Sequence, residues 1–262
     1  MFNGLTPLYP LLIPFLLVLF RLLGMMVFTP FFSNSSIPGN VKVLLALAMS
    51  VCVWNVAPHA RGQTLVIPET LPALVVAIAG EMSIGLLVGM MVAAMFAGVQ
   101  LGSHMVSQQM GLSLAALYDP AFEDQSTVIE QVAFWIALVA FLSMGGHRAM
   151  INAVVYSYEK VPIGGGGLAP EIVLSTVLGS MDAAFHAATQ VAMPALVAFF
   201  ISTLTSGLMS RSMPQLAVMN IGVTLNLVVG FVMVAVGLTG WSLVAEGGLR
   251  DMIHVMERVL RG

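Results

Sequence analysis

Apolar residues run along the chain in long blocks, separated by short stretches that hold Pro, Gly and most of the charges. A helix needs about 20 mainly apolar residues to cross a bilayer. Six blocks are candidates: residues 8–29, 41–57, 71–105, 128–144, 172–209 and 216–241. Two are short for a span and two are too long, which is typical of helices that tilt, bend or fold back. The pattern predicts an all-α integral membrane protein of about six long, bent helical hairpin segments.

Composition narrows the class of protein further. The chain is 59% hydrophobic and 8% charged, whereas about a quarter of the residues in a soluble domain are charged. Its net charge of -3 offers no basic surface for nucleic acid. The N-terminus has neither a positive region nor a small-residue cleavage site, so we expect the first apolar block to remain in the protein.

Basic residues predict the orientation of the chain. Six spans place both termini on one side, which then holds Arg61, Arg148, Lys160, Arg250, Arg258 and Arg261. The opposite side holds only Lys42 and Arg211. Because cytoplasmic loops are enriched in Lys and Arg, the C-terminus is expected in the cytoplasm.

The third block contains two pairs of glycines at a spacing of four residues. Gly85 and Gly89 form one GxxxG pair, and Gly98 and Gly102 form another. This spacing lets two helix backbones approach closely, since no side chain stands between them. Both pairs are predicted helix-packing sites.

Few ionisable residues lie inside the apolar blocks, and two of these polar sites each have two interpretations. Glu81 is either a proton-relay residue or an anchor at a helix break beside Gly80. Asp182, His186 and Gln190 share one helical face. They form either a metal or proton pathway or a polar stripe against a partner or an aqueous channel, and Gln190 is a poor metal ligand.

Catalytic motifs are missing from the sequence. It contains no GxSxG and no HExxH, and residues 164–167 are four glycines without the GK[ST] of a phosphate loop. We therefore predict a protein that is not an enzyme and that uses no metal and no cofactor.

Several motifs together resemble the FliR family of flagellar export-gate proteins, whose relatives serve in virulence type III secretion. Arg21, Gly24 and Pro30 come first, followed by Glu81 with Gly85 and Gly89. QQMGLS at 108–113, GGHR at 145–148 and SYEKVPIG at 157–164 follow in order. The family motif residues are Glu81, Asp119, Pro120, Arg211, Pro214, Gln215, Asn220 and Gly222. Family members often have Pro and Lys where Val223, Thr224, Leu225 and Asn226 stand here.

The resemblance implies an architecture and partners. It implies one copy of this subunit in a closed helical assembly with FliP-type and FliQ-type subunits, in the bacterial inner membrane at the flagellar basal body. Residues 1–145 would be a FliP-like half and residues 146–262 a FliQ-like half. FlhB-type and FlhA-type export proteins would be further partners, and unfolded flagellar proteins would pass through the pore.

The resemblance also assigns a role to the stretch between the third and fourth blocks, a loop at about 105–122 that would plug the pore. Its residues suit a deformable seal, because flexible apolar side chains exclude water and ions by dewetting. Gly111 would let the loop bend. The predicted plug residues are Met105, Gln108, Gln109, Met110, Gly111, Leu112, Leu114, Leu117, Tyr118 and Phe122. The alternative is an ordinary extension of the third helix followed by a turn.

A secondary transporter or ion channel is the competing function. Such a protein carries polar residues on broken helices near the bilayer midplane, often in paired repeats. Glu81, Asp182 and Asn226 could take those roles, but no repeat is visible in the sequence. A purely structural membrane scaffold is a third possibility.

Overall fold

A computed structural model of the protein describes residues 9–33, 38–56, 70–112, 127–165, 168–212 and 218–261. Within these ranges the chain forms α-helices and no strand. In chain order they are α1 (Tyr9–Phe28), α2 (Pro30–Ser33), α3 (Gly39–Val56), α4 (Leu71–Gln109), α5 (Val128–Ser143), α6 (Gly146–Lys160), α7 (Pro170–Ser212) and α8 (Val218–Arg261). The predicted all-α class is confirmed.

Two of the described helices, α4 and α7, are long and apolar enough to cross a membrane. A third crossing is possible where α5 and α6 are counted together as one broken span. Shorter apolar stretches lie in α1, α3 and α8, at Leu12–Phe28, Gly39–Trp54 and Gly222–Gly237. The described residues of all six apolar blocks are thus helical, and the clearest differences in length are those of α4 and α8.

The ends of two helices, α4 and α8, differ clearly from the predicted ones. The third block was expected to end at 105, but α4 continues to Gln109. The last block was expected to end at Trp241, but α8 continues to Arg261. Polarity alone does not end a helix, since Glu, Arg and Met all have good helix propensity. The helix α6 was not predicted as a segment, because only one of its faces is apolar.

The chain divides by packing into two compact units. The first contains Met1–Ala94, Gly145–Met181 and Asp251–Gly262, and the second contains Met95–Met144 and Asp182–Arg250. This division follows packing within the chain. It does not test the predicted halves at 1–145 and 146–262, which concern likeness to two partner subunits.

In the first unit α1 packs against α3 and against the first part of α4. Gly85 permits the second contact. A Cβ at that position would overlap the backbone oxygen of Arg21 and lie 2.8 Å from the backbone nitrogen of Met25. Gly89 faces the Met25 carbonyl in the same way. The backbones of α1 and α4 therefore touch directly at this pair.

In the second unit α4 packs against α5 and α7. Phe96 contacts Phe134 and Phe141 of α5, with ring centroids 5.7 and 5.6 Å apart. A Cβ on Gly98 would overlap the Ala184 carbonyl of α7, and one on Gly102 would lie 2.6 Å from the Ala188 carbonyl. Each glycine pair of α4 thus lies at a close approach to another helix of its own unit.

Candidate functional site

A buried ion pair lies at the centre of the first unit. Arg21 of α1 and Glu81 of α4 are almost completely buried, and the Nε of Arg21 donates a hydrogen bond of 2.5 Å to Glu81 Oε2. A charge buried away from water is costly unless an opposite charge and further hydrogen bonds compensate it. The surroundings of this pair supply that compensation.

The ion pair belongs to a larger group of contacting residues, here called the arginine cluster: Arg21, Glu81, Ser157, Tyr158, Val161 and Gly164. Its other members come from α6 and the turn that follows it. Arg21 donates from Nη1 to Ser157 Oγ at 2.8 Å and from Nη2 to the Val161 carbonyl at 3.3 Å. Its guanidinium carbon lies 4.0 Å from the centroid of the Tyr158 ring. The backbone N–H of Gly164 donates to the free oxygen of Glu81 at 3.0 Å. The arginine cluster therefore joins α1, α4 and α6.

The arginine cluster bears on the two interpretations of Glu81. The helix α4 runs without a break through Gly80 and Glu81, so the expectation of a helix break there is wrong. Ser83 donates back to the Gly80 carbonyl at 2.7 Å, which keeps its hydroxyl satisfied within the helix. The pairing of Glu81 with Arg21, which sequence reasoning missed, favours the anchor interpretation over a proton relay.

The last turn of α4 is the second candidate site, and it contains the start of the predicted plug. Met105, Gln108 and Gln109 were expected in a loop but lie in the helix. Ser103 and Ser107 donate to backbone carbonyls one turn earlier, at 3.0 Å to Val99 and 3.0 Å to His104. The helix therefore accommodates these polar residues and ends only before Met110 and Gly111.

Met110 and Gly111 form the turn that ends the helix. Gly111 has φ +78°, a left-handed conformation that glycine adopts without strain. The Met110 side chain is fully buried and lies against Gly230 of α8, where an added Cβ would come within 2.5 Å of its sulfur. Gly230 therefore leaves the space that Met110 fills.

Asn226 of α8 also holds the end of α4. Its amide Nδ2 donates to the Gln109 carbonyl at 3.4 Å, one of the carbonyls that a helix leaves unpaired at its C-terminus. Ser202 of α7 donates to Asn226 Oδ1 at 2.7 Å. The position where the sequence departs from the family pattern thus contributes a helix-end contact.

Glu130 of α5 holds the other side of the same turn. It accepts hydrogen bonds on Oε1 from Thr127 Oγ1 at 2.8 Å and from Ser107 Oγ at 3.3 Å. Its Oε1 lies 3.0 Å from His104 Nδ1. Sequence reasoning missed this contact, although Thr127 and Glu130 carry the Thr-x-x-Glu signature of a helix start.

Several predicted residues lie outside the described part of the chain, namely Leu114, Leu117, Tyr118, Asp119, Pro120, Phe122, Pro214 and Gln215. Leu112 is half-buried in the turn after α4. Arg211 lies near the end of α7, and Asn220 and Gly222 lie near the start of α8.

The polar stripe of α7 is exposed. Asp182, His186 and Gln190 present their side chains on its surface, on the opposite side from Ala184 and Ala188, which face α4. Among the described residues no group of three or more His, Cys, Asp or Glu side chains could hold a metal ion. The arrangement therefore favours the polar-stripe interpretation over a metal site.

Helices long enough to cross a bilayer, with a buried ion pair and polar contacts at helix ends, define a helical membrane protein. A model of the family described as "Bacterial export proteins, family 1" matches residues 12–252. The Flagellar biosynthetic protein FliR of Bacillus subtilis is 26% identical over 260 residues, which is 98% of this chain and 97% of that protein. The protein of the same name from Escherichia coli is 30% identical over 218 residues, covering 83% of this chain and 81% of its own length.

These matches extend over nearly the whole chain. The chain therefore belongs to the FliR family of bacterial export proteins. Membership makes it a component of the flagellar export apparatus and not an enzyme.

Proposed function

We propose that this chain is a pore and gate subunit of the flagellar type III export apparatus. With FliP-type and FliQ-type subunits it forms the conduit through which unfolded flagellar proteins leave the cell. The stretch at 105–122 seals the closed pore. The assembly lies in the inner membrane at the flagellar basal body, with the C-terminus of this subunit in the cytoplasm. FlhB-type and FlhA-type export proteins are further partners.

The exposed side of α7, on which large apolar residues lie alongside the polar stripe, carries the proposal of a larger assembly. Leu174, Phe185, Val197, Phe200 and Leu208 are each more than half exposed. At about 1.5 Å per residue, this stretch extends about 50 Å along the helix. The hydrocarbon core of a bilayer is only about 30 Å thick, so lipid covers part of this face and other proteins must cover the rest.

The end of α4 supports the location of the seal. Met105 and Gln108 are exposed, whereas Met110 is fully buried against α8. The turn at Gly111 then leads into residues that are mainly apolar in the sequence, with no Lys or Arg before Arg148. A mainly apolar stretch that starts from a fixed helix end is suited to closing a pore against ions.

The competing transporter function has less support. Glu81 is occupied by Arg21 and Gly164, and Asn226 by Ser202 and the Gln109 carbonyl. Asp182 is exposed on the surface of α7. A transporter needs polar groups free to bind its substrate, and two of these three are already engaged within the chain.

Deleting residues 111–117 tests the seal directly. The variant is expressed in the native host from which the original gene for this protein has been deleted. We expect it to assemble and export while the cells leak small ions, because the apolar constriction is lost. Ion efflux and swimming motility measure the two effects. A seven-residue deletion elsewhere in the chain would be a poor control. The matched variant instead replaces residues 111–117 by glycine and serine, which keeps the length of the chain. Normal assembly and export without leak in both variants would place the seal elsewhere.

Copurification tests the assembly separately. We expect the chain, extracted in mild detergent, to copurify in fixed proportion with two smaller helical membrane proteins. Solute or ion uptake by the purified chain alone in vesicles would instead support the transporter function.

A further inference from the structure

His104 and Glu130 join the two helices that flank the predicted plug. His104 lies in the last turns of α4, and Glu130 lies in the first turn of α5. Their side chains are 3.0 Å apart, although the whole α4–α5 connection lies between them in the sequence. The contact therefore joins the described end of α4 to the described start of α5.

One carboxylate oxygen of Glu130 binds partners from both ends of this connection. It receives His104 and Ser107 from α4 and Thr127 from the cap of α5. Thr127 also accepts the backbone N–H of Glu130 at 3.4 Å, so the cap holds the carboxylate in place. This carboxylate oxygen therefore fixes the last turn of α4 relative to the start of α5.

His104 extends the contact to a predicted plug residue. The Nε2 of Gln108 lies 2.8 Å from His104 Nε2, and an amide nitrogen can only donate. The imidazole then carries its hydrogen on Nδ1, where it donates to Glu130. Gln108 is thus held by Glu130 through the ring of His104.

The contact lies at the edge of the packed region. The side chain of His104 is 46% exposed and that of Glu130 is 14% exposed. The opposite side of the turn is held independently, by Asn226 at the Gln109 carbonyl and by Met110 against Gly230. Loss of His104 therefore leaves the helix end packed on one side and held on the other only by the 3.3 Å bond from Ser107 to Glu130.

We propose that His104 and Glu130 are positioning residues for the seal, which set the orientation of the last turn of α4 and with it Gln108 and Met105. This inference rests on the proposed function, in which the stretch that begins at this turn closes the pore. In this proposal, one polar contact between α4 and α5 determines how little the closed pore leaks ions.

His104→Ala tests the proposal in the assembled export complex. We expect about a fivefold increase in ion leak per assembled complex, the effect of losing one partly exposed charged hydrogen bond. Glu130→Gln keeps the hydrogen-bonding shape but removes the charge, and should also raise the leak. His104→Lys keeps a donor for Glu130 but has no acceptor for Gln108, and should lower the leak only part of the way from that of His104→Ala. His147→Ala, at an exposed histidine, is the matched control.

The outcomes separate this inference from the proposed function. If the 111–117 deletion does not leak, the seal itself is misplaced. If that deletion leaks but His104→Ala does not, only the positioning role fails. Equal leak in His104→Lys and His104→Ala would show that the pair with Glu130 is not the cause. Loss of assembly in His104→Ala would also contradict the proposal, because the other contacts are expected to hold the fold.

Discussion

Replacing Arg21 by Ala is expected to remove the protein from the membrane and to abolish motility. The substitution leaves the Glu81 carboxylate buried with only the Gly164 N–H, and it removes the bonds to Ser157 and Val161. Breaking a buried ion pair by removing one partner costs about 3–5 kcal/mol, which is a large part of the stability of a typical domain. Immunoblotting of the membrane fraction and swimming motility in a deletion strain measure the result.

Two further variants separate charge from shape. Arg21→Lys keeps a positive charge, but an ammonium group cannot reproduce the planar fork that reaches three partners and stacks on Tyr158, so we expect only partial recovery. In Arg21→Leu with Glu81→Leu no charge stays buried, and we expect more protein than with Arg21→Ala. Arg148→Ala, at an exposed arginine, should be neutral. Normal levels of Arg21→Ala would show that the ion pair does not stabilise the fold.

The sequence predicts the residues of the arginine cluster but not their association. Arg21, Glu81 and the 157–164 run are all recognisable as family motifs in one sequence. Their separations of 60 and 136 residues follow no local period. Helical periodicity identifies which residues share a face of one helix, whereas contacts between helices depend on the tertiary packing. The partner of a lone buried charge is therefore a property of the fold.

Helix ends show a related limit of sequence reasoning. Hydropathy ends a segment where polar residues begin, and this places 105–109 in a loop. The backbone continues the helix because its polar residues bond to carbonyls of the preceding turn or are exposed to solvent. A rule based on helix breakers would have predicted the end of α4 from Gly111. The Thr127–Glu130 capping signature would have predicted the start of α5.

The glycine pairs are the part of the site for which sequence and structure agree most directly. The spacing alone predicts that another helix approaches each pair closely. In the structure that helix is α1 at Gly85 and Gly89, and α7 at Gly98 and Gly102. The sequence could not supply which helix each pair would meet, because GxxxG describes one surface and not its partner.

Gly85→Ala is expected to be nearly as damaging as the loss of Arg21. The added methyl group would overlap the backbone oxygen of Arg21, which no side-chain rotation can move away. To admit it, α1 must shift from α4, and this shift also separates Arg21 from Glu81. Overpacking a tight contact costs about 3 kcal/mol, and here the strained ion pair adds to that cost. Membrane levels of the variant and the thermal stability of the extracted assembly measure the effect.

Gly207→Ala is the matched control for this substitution. Gly207 lies in α7, and an added Cβ there would meet no atom within 4 Å inside this chain. Alanine favours a helix over glycine by about 1 kcal/mol, so this variant should be neutral or slightly more stable. Because the same chemical change is made at both positions, only the neighbouring backbone differs. If Gly85→Ala accumulates as well as Gly207→Ala, the two helices do not pack as closely at Gly85 as the structure indicates, and the buried ion pair must tolerate their separation.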